Sequence, residues 1–183
     1  RTAALNRSYQ YAIQMLGIAG HYNDSDTGVH IWRMAAYARV LAETVGWDPE
    51  RARLLEQPAP MHDTGKIGIP DEILKKPGKL SPREWNTMKR HTEIGFEILS
   101  RSKAPLFQLA AEVALNHHER WDGSGYPRGL SGSQIPESAR IVAVADVFDA
   151  LATRRPYKDP WPLDVVISKI TEDSGSHFEP RMV

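Results

Sequence analysis

The sequence predicts an all-α fold: a single bundle of about seven helices with one long Gly/Pro-rich loop. Three observations predict it. Apolar residues recur at helical spacing, as in Leu5, Tyr9, Ile13 and Leu16. Caps, prolines and glycines punctuate the apolar runs. No segment of useful length alternates apolar with polar, and there is no repeat or low-complexity tract.

Taken in order, residues 3–20 read as an opening helix that could connect to an upstream regulatory domain. HYNDSDTG is a polar break with cap chemistry. A helix then runs from His30 to Val45 and ends at Gly46. Asp48 is the N-cap of the next helix, with Pro49 at its first position. Pro58 and Pro60 must end or kink that helix, so the segment carrying His62 and Asp63 restarts or bends. IGIPDEILKKPGKLSP reads as loop and short turns, with extended pieces allowed near Ile67–Ile69. Ser81 and Glu84 form a capping box that opens a helix through His91, broken and resumed toward Leu99. Pro105 starts the helix that ends at the histidine pair His117 and His118. A loop covers 120–136, helices cover Ser138–Thr153 and Leu163–Glu172, and the chain ends on FEPRMV. The expected division is a connector at 1–23 and one domain at 24–183, clipped at its C-terminus. Arg1 in place of an initiator methionine reads as the start of an excised piece, with a receiver or sensor domain upstream.

With 23 Lys+Arg against 23 Asp+Glu, the chain has no basic excess, which argues against a nucleic-acid polymer as partner. There is no cysteine, so neither disulfides nor thiolate zinc sites are available. No signal peptide or spanning apolar run is visible, and a cytoplasmic location is expected.

The histidines carry the chemistry. His30 follows Asp26 by four residues, one helical turn across a helix start. His62 precedes Asp63, His91 has its own helix, and His117 and His118 are adjacent at a helix end. Asp146 sits among Val142, Val144 and Val147, where an unpaired buried carboxylate would cost several kcal/mol. His21 and His177 have no such company and read as caps or surface groups. A helix bundle can converge the other five histidines with Asp63 and Asp146. Imidazole and carboxylate without thiolate suit iron, manganese, nickel or zinc. More ligands are present than one tetrahedral ion needs, so two or three divalent ions are inferred. Such ions bridge and activate water and neutralise charge on phosphoryl oxygen, which fits phosphoester hydrolysis.

These residues resemble a family. DTGVH (26–30), HDTGKIGIPDEIL (62–74), KRHTEIGFEIL (89–99), NHHERWDGSGYPRGLSGSQIP (116–136), ARIVAVADVFDAL (139–151) and RRPYK (154–158) are similar, in order, to the HD-GYP subgroup of HD-domain phosphohydrolases. The resemblance implies a metal-dependent phosphodiesterase that opens cyclic di-GMP to pGpG, with GMP as a further product. It implies that His30, His62, Asp63, His91, His117, His118 and Asp146 bind metal, with Asp63 bridging two ions and Asp26 available to a third. Iron or manganese is the first expectation. Lys66 would lie near the scissile phosphate, tethered by Asp149, and Tyr126, Arg155 and Lys158 would contact substrate. Asp26 departs from the glutamate some relatives carry, and Gln57-Pro58 departs from their apolar or small residues. The resemblance also allows a diguanylate cyclase partner at the GYP loop and a homodimer. Two rivals remain: a hydrolase of another cyclic dinucleotide or a nucleotide monoester, and a weakly active or inactive messenger-binding module.

Overall fold

The computed structural model describes residues 11, 13, 15–18, 29–153 and 159–183, with backbone only at Val29 and His30. Asp26, Arg155 and Lys158 lie outside the described residues, as does the side chain of His30.

The described parts of 11–18 are helical. Among the described residues eight α-helices follow: α1 (Val29–Thr44), α2 (Pro49–Glu56), α3 (Asp71–Leu74), α4 (Pro82–Lys89), α5 (His91–Leu99), α6 (Pro105–Asn116), α7 (Glu137–Ala152) and α8 (Leu163–Glu172). Among the described residues no β-pairing exceeds isolated bridges, such as Asp122 with Ser131.

The local chemistry explains the boundaries. Asp48 caps α2, accepting from the backbone N–H of Glu50 (3.1 Å) and Arg51 (2.9 Å). The α4 capping box is present: Glu84 N–H donates to Ser81 Oγ (3.3 Å), and Ser81 N–H donates to the Glu84 carboxylate (2.7 Å). The chain breaks at Arg90 between α4 and α5, and α6 opens at Pro105. Pro58 stops the α2 run, and a single 3₁₀ turn at Ala59–Met61 delivers His62.

Two expectations need correction. The chain near Ile67 is a 3₁₀ turn, Thr64–Gly68, and only Ile69 beyond it is extended (φ −94°, ψ 130°). Three-residue bonds make it so: Lys66 N–H to Asp63 O (2.9 Å) and Ile69 N–H to Lys66 O (3.0 Å). Within the expected loop 67–82 lies the short helix α3. Pro70 precedes it, Asp71 and Glu72 occupy its positive end, and Lys75 pairs with Asp71.

The main core lies between α1 and α7. Ala35, Ala38 and Ala42 let α1 approach Ile141, Val142 and Ala145, with Leu55 and Val166 closing the sides. A second cluster joins Ile13, Met61, Leu99, Ala110 and Ala114. It ties the 11–18 helix, the His62 turn, α5 and α6 together, so the segments that carry the histidines rest on packed apolar contacts.

Candidate metal centre

His62, Asp63, His91, His117, His118 and Asp146 meet in one place. The ligand-type atoms of Asp63, His91, His117 and His118 all lie within 4.8 Å of one another. Asp63 is the hub. Its Oδ1 is 3.4 Å from His91 Nε2 and 3.7 Å from His117 Nε2, and its Oδ2 is 3.2 Å from His62 Nε2. Asp146 Oδ1 stands 3.9 Å from His62 Nε2 on the other side.

The backbone aims these rings. His62 Nδ1 donates to Ala59 O (2.8 Å), His91 Nδ1 to Met88 O (2.8 Å), and His117 Nδ1 to Ala114 O (3.0 Å). A carbonyl only accepts, so Nδ1 must carry the proton. In the neutral ring Nε2 then keeps its lone pair and points it at Asp63. Each acceptor lies three residues before its histidine, so each ring folds back onto the turn that precedes it.

Those lone pairs test whether a cation fits. Asp63 Oδ1, His91 Nε2 and His117 Nε2 are buried without a hydrogen-bond partner. Buried polar atoms are ordinarily satisfied, and orphans are costly. Several converging acceptors cannot satisfy one another, whereas divalent cations satisfy all of them, and nitrogen and oxygen donors without sulfur suit iron or manganese. The residues present therefore fit a metal group.

Electrostatics point the same way. Burial alone would raise the Asp63 carboxyl, but Lys66 and His62 overcome it and hold it well below the usual range. Burial opposes charge on His62, yet Asp63 and, farther off, Asp146 raise it to about 9. Burial, with His117 nearby, lowers His91 to about 4, and burial with His117 and His91 lowers His118 well below its normal value. The carboxylates create a demand for positive charge that His62 meets in part and that His91 and His118 meet poorly as protons.

The fourth residue of HDTGK, Gly65, explains the close approach. A Cβ on Gly65 would sit 1.8 Å from His91 O and 2.4 Å from Gly95 N. Only glycine lets the Thr64–Gly68 turn lie against the start of α5, bringing Asp63 to His91. In the GYP segment the reason is similar. A Cβ on Gly125 would meet Arg120 N at 2.3 Å and His118 O at 2.5 Å. Gly125 therefore serves by lack of bulk, while Gly123 takes a positive φ (83°). The loop then carries Tyr126, through a cis peptide to Pro127, onto His118 as a stack (4.8 Å, 24°). Burial, and behind it Asp63, push the Tyr126 phenol up, so it remains a neutral hydroxyl.

Asp146 proves less buried than its valine neighbours suggested: its side chain is 23% exposed. The expected burial falls on Asp149 at 1%. The two acids lie one turn apart on α7, and Asp149 is covered by Arg33 of α1 whereas Asp146 stands beside His62. Arg33 of α1 forks onto Asp149 and also donates to Thr153 Oγ1 (2.7 Å). Lys66 Nζ lies 2.8 Å from Asp63 Oδ2. Sequence reasoning missed Arg33, although it follows His30 by one turn and so shares its face. It also missed Glu119. That carboxylate is buried and accepts the backbone N–H of Arg128 (2.8 Å) and Leu130 (2.9 Å). An acid just before a glycine-rich loop was the available signal.

Comparisons with known proteins agree with this site. The sequence profile of the HD domain matches residues 6–182. A cyclic di-GMP phosphodiesterase of Thermotoga maritima is 50% identical over 93% of this chain and 46% of its own length. A 3'3'-cGAMP-specific phosphodiesterase of Vibrio cholerae is 50% identical over 86% of this chain and 30% of its own length. The chain thus spans less than half the length of these relatives. A Bdellovibrio bacteriovorus structure described as an HDG"Y"P protein superposes with a TM-score of 0.68 at 21% identity, covering 96% of this chain and 61% of that one. A profile match over nearly the whole chain, joined to a histidine–aspartate cage built on helix ends, places the chain in the HD-domain family, in its HD-GYP subgroup.

Proposed function

We propose that this chain hydrolyses cyclic di-GMP to the linear dinucleotide pGpG, with GMP as a second product, using two or three divalent cations. The observation that supports this most is the cage of orphaned ligand atoms around Asp63, with Lys66 at its edge. His62, Asp63, His91, His117, His118 and Asp146 would hold the ions, joined by His30 and, for a third, Asp26. Iron and manganese suit this donor set best. Such cations supply Lewis acidity at a phosphoryl oxygen and lower the pKa of water.

The chain's own groups do the rest. Lys66 provides a positive charge beside the phosphate and a proton for the leaving 3'-oxygen. Its ion pair with Asp63 keeps the ammonium at the site edge. Asp149, held by Arg33, fixes the α7 face from which Asp146 projects. Tyr126 closes one side with a neutral hydroxyl and an aromatic face. Arg155 and Lys158 would grip a phosphate or a guanine edge. The burial of Asp63, His62 and His91 excludes bulk water from the floor.

A second reading has a specific basis. The Vibrio cholerae relative named for 3'3'-cGAMP is as similar as the Thermotoga maritima one. The two messengers share the phosphodiester ring and differ in one purine, which bears on the base contacts alone.

Turnover of both dinucleotides by protein of defined metal content tests the reading. Metal-loaded protein is expected to open cyclic di-GMP to pGpG, faster than 3'3'-cGAMP. Asp63→Ala should lose activity by at least roughly a hundredfold, the upper end of what removing a mere supporting residue costs. Faster cleavage of 3'3'-cGAMP would move the substrate assignment. Binding without cleavage by loaded protein would make the chain a messenger-binding module.

A further inference from the structure

Trp85 lies outside both buried apolar clusters. It lies on α4, a helix with no buried residue, and its side chain is 46% exposed. A large ring in water is unfavourable, and packing gives no reason for it here. Its position does. The indole meets the Tyr126 ring edge-on (5.9 Å, 80°), and Tyr126 in turn stacks on His118 of the cage (4.8 Å, 24°). Lys89, one helical turn along the same face, holds its ammonium 6.0 Å from the Tyr126 ring centre. Lys89 has no acidic partner among the described residues, and two positions later His91 enters the cage. A continuous path thus runs from the buried imidazoles, over Tyr126, to an exposed indole with a free cation beside it.

We propose that Trp85 is the outer stacking wall of a nucleobase subsite: it receives one purine of the cyclic dinucleotide whose phosphate lies at the cage, with Lys89 offsetting the ligand's negative charge. This rests on the cyclic-dinucleotide reading above. Aromatic faces hold bases by stacking with little regard to which purine is present. Trp85 therefore contributes affinity for the nucleotide class, and the choice between guanine and adenine falls to other groups. The surroundings favour this role. The α4 capping box and the Lys76–Glu84 ion pair (2.7 Å) fix the first turn of the helix directly beside Trp85, so the indole is presented on a rigid support.

Equilibrium binding of cyclic di-GMP and its steady-state hydrolysis, for wild type, Trp85→Ala and Trp85→Phe at equal metal content, test the inference. Trp85→Ala should weaken binding and raise KM by roughly tenfold or more, with kcat within about twofold. Trp85→Phe should recover most of the loss, because a smaller π face remains. An unchanged Kd and KM in Trp85→Ala overturns the subsite while leaving the phosphodiesterase reading intact. A fall in kcat and metal content without the KM effect also overturns it, since Trp85 would then only prop Tyr126 against the cage. If wild type neither binds nor cleaves cyclic di-GMP or 3'3'-cGAMP, both readings fail together.

Discussion

At the scale of single residues, the site depends on what is absent as much as on what is present. Gly65 has no Cβ, and the space a Cβ would take is filled by the His91 carbonyl and the Gly95 amide. Gly65→Ala must push the turn that follows Asp63 away from α5. Overfilling a packed contact costs about 1–3 kcal/mol, and a chain of this length loses about 2–4 °C of Tm per kcal/mol. Thermal melts should therefore fall by roughly 2–12 °C, with weaker metal binding. An unchanged Tm and metal content would show that the turn has slack. The sequence showed which residues carry the chemistry, because histidine pairs and an acid beside them are rare by accident. It could not show that Nδ1 of three rings is committed to carbonyls of the preceding turn, since that depends on where each helix stops. Asp146 and Asp149 make the same point. Both sit among apolar neighbours in the sequence, and only the angle of α7 decides that Asp149 is sealed against Arg33 while Asp146 opens toward the cage.

At the scale of elements, the GYP loop is a built object held at several points. Glu119 ties it from inside through the Arg128 and Leu130 amides, and Asp122 pairs with Ser131 to close its base. From outside, Trp121 N–H donates to His177 O (3.1 Å) and Asp122 N–H to Ser176 O (2.9 Å). Glu119→Gln replaces one acceptor oxygen with a donor facing an N–H. The cost should be about 1–3 kcal/mol. Hydrogen exchange at Arg128 and Leu130 should accelerate while α1 and α7 amides keep their protection, and equal acceleration everywhere would refute a local tie. The outer strap responds to pH. Burial, with Arg120 nearby, lowers His177 to about 4 from an ordinary 6.5. The unfolded chain thus binds this proton more readily between those values. Stability is full above about pH 6.5 and declines as pH falls toward 4. His177→Gln should shallow that decline in denaturant titrations, and a slope equal to wild type would show that His177 does not contribute. The helices themselves were legible because caps and prolines are local: Asp48-Pro49, Ser81-Glu84 and Pro105 each act within one turn. The Gly/Pro-rich loop was legible as a loop only. Its tie to residues 176 and 177 joins positions far apart in sequence, which no local pattern reports.

At the scale of the whole molecule, the α1–α7 core and the smaller cluster around Met61 hold three separate histidine-bearing segments and one acid in register. An all-α bundle was legible from the period of the apolar residues, and its convergence on one cation centre was an expectation from ligand chemistry. The distances were not available, because they follow from how Met61, Leu99, Ala110 and Ala114 pack the His62 turn, α5 and α6 together and from how α1 settles on α7. Among the described residues no helix is long and apolar enough to cross a membrane.

The central claim is that this packing exists to cage cations, and elemental analysis tests it most directly. Protein purified from manganese- or iron-supplemented medium, dialysed against metal-free buffer, should retain at least one equivalent of metal per chain, and Asp63→Ala should retain far less. Wild-type protein that stays empty, or a variant that holds as much metal as wild type, would contradict the account.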